Sequence, residues 1–146
     1  MIQNLHNMQN DIIYEVVKSA NTDELIELYK EGGWWNESPD ERCNLPVLVE
    51  NSFCFMVAKN PEGRIIGMGR VISDGVSDGY IQDVIVYKIY RNKGIGKEIV
   101  IKLKDFCLKN GLTWIGLIAE PGTKEFYAKL GFSEMVDYKP MILKSK

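Results

Sequence analysis

A chain of 146 residues, 45% hydrophobic and 26% charged, can bury one real core and is too short for two domains to be the better reading, so residues 1–146 are expected to form a single domain. The formal charge of -2 gives no general attraction to nucleic acid or anionic membrane, so any polyanion must be held locally. Three cysteines, Cys43, Cys54 and Cys107, form no Cys-x-x-Cys pair, which argues against a disulfide framework and against a zinc site, and no metal is expected. Asp11, Glu15 and Lys18 interrupt the early apolar run, so neither a secretory leader nor a spanning helix is expected and the reading is cytoplasmic. His6, the one histidine, falls in an N-terminus expected to fray, which makes a Ser-His or Cys-His catalytic pair a poor reading.

In chain order, "DIIYEVVK" (11–18) reads as a first strand and "NTDELIELYKEGG" as a short helix. Asn21 is its cap, Leu25, Ile26, Leu28 and Tyr29 form its apolar stripe, and Gly32-Gly33 is its stop. "SPDE" (38–41) is a capping box with proline at the first helical position and starts a second helix, which Pro46 is expected to bend or split. "FCFMVAK" (53–59), the turn "NPEG" (60–63) and "RIIGMGRVIS" (64–73) read as an antiparallel hairpin. "YIQDVIVY" (80–87) has the near-continuous apolar run of a strand buried on both faces. A glycine loop follows, then a helix whose core face carries Ile95, Ile99, Leu103, Phe106 and Cys107 up to Gly111, then the strand "TWIGLIA" (113–119). Strand, helix, strand is a βαβ crossover, so strands 80–87 and 113–119 are expected to run parallel. "TKEFYAKLG" (123–131) reads as a short helix, and the tail to Ile142 and Leu143 is a candidate last strand.

The loop "YRNKGIGKEIV" (90–100) carries the chemistry. A nucleotide-triphosphate loop, a third reading of the chain, fits poorly on spacing, because Gly96-Lys97 is followed by Glu98 and the position five before Gly96 is Arg91. A dinucleotide fingerprint lacks its third glycine, since position 99 is Ile99. A loop at the carboxyl end of a strand, feeding a helix N-terminus, nevertheless presents free amides and the positive end of the helix dipole. On this reading Gly94 and Gly96 clear the way for a diphosphate to reach the amides of Asn92, Lys93, Gly94, Ile95, Gly96 and Lys97, with Arg91, Lys93 and Lys97 adding screened charge. On the loop alone, an anion site and a tight strand-to-helix turn explain the glycines equally well.

The stretch "VIVYKIYRNKGIGKEIV" resembles the acyl-CoA-binding motif of the GCN5-related N-acetyltransferase (GNAT) family, with Arg91, Gly94 and Gly96 at its three signature positions. "FYAKLGF" (126–132) is similar to the family's second signature, and the order of elements from residue 11 onward agrees. The resemblance implies an α+β fold: a central mixed, mostly antiparallel sheet with one parallel βαβ pair splayed at a cofactor cleft and about four helices around it. It implies acetyl-CoA as cofactor, with CoA as product. The pyrophosphate would sit on the loop amides and the pantetheine would lie along Val84, Ile85 and Val86. The Val86 N–H would polarise the thioester carbonyl, leaving the Val84 and Val86 side chains as core.

Acyl transfer to an amine requires the ammonium to lose a proton and the departing thiolate to gain one. Tyr127 matches the family tyrosine near the sulfur and is the candidate general acid. Some members use a glutamate on the strand equivalent to 80–87; here Tyr80, Gln82 and Asp83 stand there. Asp83 acting through water, Tyr80, Glu120 or a water chain remain as routes for the proton. Cys107 on the apolar helix face reads as an inert thiol, which favours direct transfer in a ternary complex. In this family the first two helices and their connection cover the acceptor pocket. There Trp34 or Trp35 could enclose a substrate and Tyr80 could line it, while Glu37, Asp40, Glu41, Asp74 and Asp78 either attract a cationic amine or, at 40 and 41, simply offset the helix dipole. The expected acceptor is a small-molecule primary amine, with acetylation of a protein amine as an alternative. A homodimer is possible, and a non-catalytic acyl-CoA-sensing module is the reading from another class.

Overall fold

The computed structural model describes residues 11–144; His6 lies outside them. Five strands, β1 (Ile13–Val16), β2 (Cys54–Lys59), β3 (Ile65–Ile72), β4 (Asp78–Val86) and β5 (Trp114–Leu117), form one sheet in chain order. The first four are antiparallel neighbours and β5 runs parallel to β4, as the crossover requires. Helices α1 (Thr22–Glu31) and α2 (Pro39–Asn51) cover one face, α3 (Ile95–Lys109) covers the other, and α4 (Lys124–Ala128) follows β5. None of these helices is long and apolar enough to cross a membrane.

Strand alternation sorts the core. Cys54, Met56 and Ala58 of β2 point to α3, where they meet Ile95, Ile99, Leu103 and Cys107. Phe55 and Val57 point the other way, onto Leu25, Ile26 and Leu28 of α1 and Leu45 and Val49 of α2. Helix α3 sits close on β3 because Gly69 has no side chain. A Cβ there would lie 2.9 Å from Leu103 Cδ1 and 3.0 Å from Ile99 Cγ2, so the helix side chains would have to give way.

Three expectations fail for physical reasons. Of the two outcomes expected of Pro46, splitting does not occur: α2 runs unbroken from Pro39 to Asn51, with Leu45 and Val49 buried on either side of Pro46. Strand β4 is not buried on both faces, since Gln82 to Ile85 are half-buried; the doubly covered strands are β2 and β3. The tail forms no last strand, and Met141, Ile142 and Leu143 are almost fully exposed, because nothing in the described residues covers them.

Candidate active site

The site begins where two strands part. Strand β5 pairs with β4 only from Asp78↔Trp114 to Ile81↔Leu117, and β4 then continues five residues to Val86 with no strand on that side. The gap is a cleft of ≈ 340 Å³, within the range of small-molecule sites. Trp34, Tyr80, Gln82, Asp83, Val84, Glu120, Thr123 and Tyr127 are among its walls.

Strand geometry sets what the backbone offers. Tyr87 N–H donates to Ile66 O of β3 at 3.1 Å, so alternation turns the N–H and C=O of Val86 away from β3, toward the gap. The Val86 C=O is taken by Arg91 Nε at 2.9 Å, and the Val86 side chain is buried in the α3-side core. Arg91 therefore braces the turn after β4 rather than standing wholly free at its rim; its Nη2 also lies 4.0 Å from Glu31 Oε1. Glu31 Oε1 in turn accepts the Lys88 N–H at 2.8 Å.

The loop has the backbone of an anion nest. Asn92 and Gly94 adopt φ of 61° and 80°, the left-handed region, with Lys93 between them. Gly94 is the N-cap of α3 and supplies no capping side chain. The Glu98 N–H bonds Gly94 O at 3.0 Å, the first helical bond, which leaves the amides of Ile95, Gly96 and Lys97 without an intrahelical acceptor. Gly96 departs from the expectation that it clears a ligand's path. A Cβ there would point inward and meet Phe126 and Val86 at 3.7 Å, ordinary contact. Lys93 Nζ sits 5.6 Å over the Tyr90 ring, and Lys97 is exposed.

Tyr127, on α4, is half-buried with its ring edge-on to Phe126 (4.9 Å) and Phe132 (6.0 Å). Burial, and secondarily the charge of Glu120, push its hydroxyl above the ordinary tyrosine value, so it keeps its proton. Tyr80 is likewise pushed up by burial.

The two tryptophans separate as adjacent loop residues can. Trp34 lines the cleft and donates from Nε1 to Glu120 Oε1 at 3.0 Å, linking the connection after α1 to the one after β5. Trp35 is not among the lining residues; its Nε1 donates to Glu37 Oε2 at 2.7 Å and its ring lies 6.5 Å from that of Tyr29. The acids expected to charge the pocket lie elsewhere. Glu37 is occupied by Trp35 and Arg42, Asp40 and Glu41 stand in the first turn of α2, and Asp74 and Asp78 bond their own loop. The carboxylates that line the cleft are Asp83 and Glu120, with no cation among its described lining residues.

Asp83 is not a loose carboxylate. Its Oδ2 accepts from Tyr29 Oη at 2.8 Å and from Arg70 Nε at 2.6 Å, while Arg70 Nη2 reaches Gln82 Oε1 at 3.2 Å. Burial, and then Asp83, push the Tyr29 hydroxyl far above its usual value. Tyr29 falls within the apolar stripe of α1 and Arg70 within an apolar strand, so neither advertises this role in the sequence; the one local signal is an aspartate inside an apolar strand run. Cys107 and Cys54 are fully buried, and burial raises both thiols, Cys54 to about 12.

A model of the acetyltransferase (GNAT) family matches residues 13–132. The uncharacterized N-acetyltransferase ycf52 of Porphyra purpurea is 28% identical over 123 residues, 84% of this chain and 70% of that one. The glucosamine 6-phosphate N-acetyltransferase of Trypanosoma brucei brucei is 31% identical over 91 residues, 58% of this chain and 59% of its own. Among solved structures, a GNAT family acetyltransferase from Streptococcus pneumoniae TIGR4 superimposes with TM-score 0.76 at 23% identity, covering 92% of this chain and 98% of that one. AAC(6')-Iy, solved with the bisubstrate analogue CoA-S-monomethyl-acetylneamine, gives TM-score 0.71 at 14% identity over 92% of this chain and 97% of its own; both show the shared fold. With both loop and cleft in place and the family model spanning nearly the whole described chain, the protein belongs to the GNAT acetyltransferase family and is an N-acetyltransferase.

Proposed function

We propose that the chain transfers the acetyl group of acetyl-CoA directly to a primary amine on a small, cationic molecule. The observation that carries the reading is the lining of the cleft: two carboxylates, two aromatic walls at Trp34 and Tyr80, the Tyr127 hydroxyl, and no cation among its described residues. Arg70 offsets the Asp83 charge from behind the wall, so Glu120 and the aromatic faces are what favour an ammonium, and no cation among the described lining residues meets an acceptor's phosphate.

The chain's residues fit the cofactor. The nest at Asn92 and Gly94 and the open amides of Ile95, Gly96 and Lys97 would hold its pyrophosphate, and the gap-facing edge of β4 at Val84 and Val86 would hold its pantetheine arm. Acetyl-CoA, when bound, supplies the activated acetyl group. The Val86 N–H stands ready to polarise a carbonyl oxygen. Tyr127 holds, at its Oη, a proton for the departing thiolate. Glu120, at the mouth, is the carboxylate with solvent access and would pass the ammonium proton to water; Asp83 has one oxygen already engaged by two donors. The buried thiols at Cys54 and Cys107 support direct transfer over an acyl-enzyme route.

The test is a CoA-thiol release assay over a panel of polyamines, arylalkylamines, amino sugars, glucosamine 6-phosphate and lysyl peptides. Turnover is expected on small cations, with the phosphorylated sugar about tenfold or more slower for lack of a cationic partner. CoA binding without release on any amine, or turnover on peptides alone, would remove the reading. Tyr127→Phe should lower kcat by about a hundredfold, a general acid's usual share. Because the Tyr127 hydroxyl lies above its ordinary value of 10.0, the protonated and active form persists to higher pH. The wild-type rate should therefore rise as the amine deprotonates and show no alkaline decline below pH of about 10.

A further inference from the structure

Strand β4 carries a one-residue bulge. Met68 pairs with Ile85 and Arg70 with Gln82, so Asp83 and Val84 both stand opposite the single Gly69. Asp83 adopts φ of 57°, a left-handed conformation that non-glycine residues adopt with strain, though aspartate tolerates it better than most. The insertion rephases the strand. Ile81 and Val86 both face α3, which an unbroken strand cannot do, because residues five apart point to opposite faces. An ironed-out β4 would put Ile85 where Val86 now stands and would change which amide faces the gap.

We propose that Arg70 and Tyr29 are positioning residues for acetyl transfer: by binding Asp83 from β3 and α1 they hold the bulge, and thereby the phase of the amides at Val84 and Val86. The geometry is specific. Both donors converge on one oxygen, Oδ2, at 2.6 and 2.8 Å, and the Arg70 and Asp83 side chains are only 14% and 20% exposed. Gly69 fits the same arrangement, since a Cβ there would meet Val84 Cγ2 at 3.2 Å. Tyr29 also packs edge-on against Trp34 at 6.3 Å, so the residue of α1 that binds Asp83 also touches the acceptor wall in the connection after that helix. Asp83 thus acts through backbone shape rather than by taking a proton.

The inference rests on the acetyl-transfer reading, and the wild-type assay tests that reading separately: wild-type enzyme without turnover sinks the reading, whereas the ranking of variants tests the lock. Glycine at 83 accepts the left-handed φ freely and lacks a carboxylate; asparagine tolerates the φ and can still accept from Arg70; alanine does neither. We expect kcat/KM for acetyl-CoA to fall in the order Asp83→Asn, Asp83→Gly, Asp83→Ala, with alanine about tenfold or more below glycine. Tyr29→Phe removes only the hydroxyl, so it keeps the test open should the alanine variant not fold. It should raise KM for acetyl-CoA and lower kcat by a combined factor of about three to ten while KM for the amine stays put. Two results would overturn the proposal. One is an equal collapse of all three Asp83 variants with loss of the acidic limb of the pH–rate profile, the mark of a general base. The other is a Tyr29→Phe enzyme with a lower Tm and wild-type kinetics, the mark of a purely structural contact.

Discussion

Helices α2 and α3 begin in opposite ways. Helix α2 closes its own N-terminus: Ser38 Oγ accepts the Glu41 N–H at 3.1 Å, and Asp40 and Glu41 place negative charge in the first turn. Helix α1 does the same with Asn21 Oδ1 and the Glu24 N–H, also at 3.1 Å, and with Asp23 and Glu24. Helix α3 begins at Gly94, with no side chain to cap it, after a loop that carries Arg91 and Lys93. A helix start capped by its own side chain and acidic first turn has less to offer an anion, whereas one left uncapped keeps its amides open to water or a ligand. On the proposed reading, stability at α1 and α2 and cofactor binding at α3 draw on the same kind of helix-start amide.

The sharpest way to break this contrast is to give α3 the charge that α2 has. Gly94→Asp puts a carboxylate into the nest at a position held at φ of 80°, and should raise KM for acetyl-CoA by about a hundredfold or more, measured by steady-state kinetics. An unchanged KM would show that the loop holds no anion. Gly96→Ala is a milder probe. Its methyl would sit at ordinary contact distance from Phe126 and Val86, so the rise in KM should be about threefold or less, far below that at Gly94. The smallest kinetic effect is expected at the closed start. Ser38→Ala should cost about 1 kcal/mol of stability, read from denaturant unfolding, with kcat and both KM values unmoved. A kinetic change there would mean that the α2 cap also shapes the acceptor pocket.

Much of the fold was legible because it is written locally. Asn21, the capping box at 38–41, the turn "NPEG" and the glycine loop each specify backbone within a few residues, and the crossover rule then fixes β4 and β5 as parallel. The parallel pair, the order of elements and the place of Tyr127 in the cleft followed. What misled was pattern without partner. The apolar run at 80–87 reads as doubly buried, yet its second half lies open because β5 stops at Leu117, a length that "TWIGLIA" does not announce. The exposed tail at 141–143 is apolar enough for a strand and has no described neighbour to pair with. Pro46 breaks a helix in isolation and not in α2, where Leu45 and Val49 are buried.

By itself the sequence determined where helices start and stop, which loop carries open amides, and which tyrosine follows the last strand, since each depends on residues adjacent along the chain. Tertiary structure alone decided how Asp83 is used and what charges the cleft. Its partners Arg70 and Tyr29 lie 13 and 54 residues away, and Trp34 meets Glu120 across 86 residues. The physical reason is range: a cap or turn is stabilised by its neighbours, whereas a bulge held by side chains from two other elements exists only once the sheet and α1 have packed.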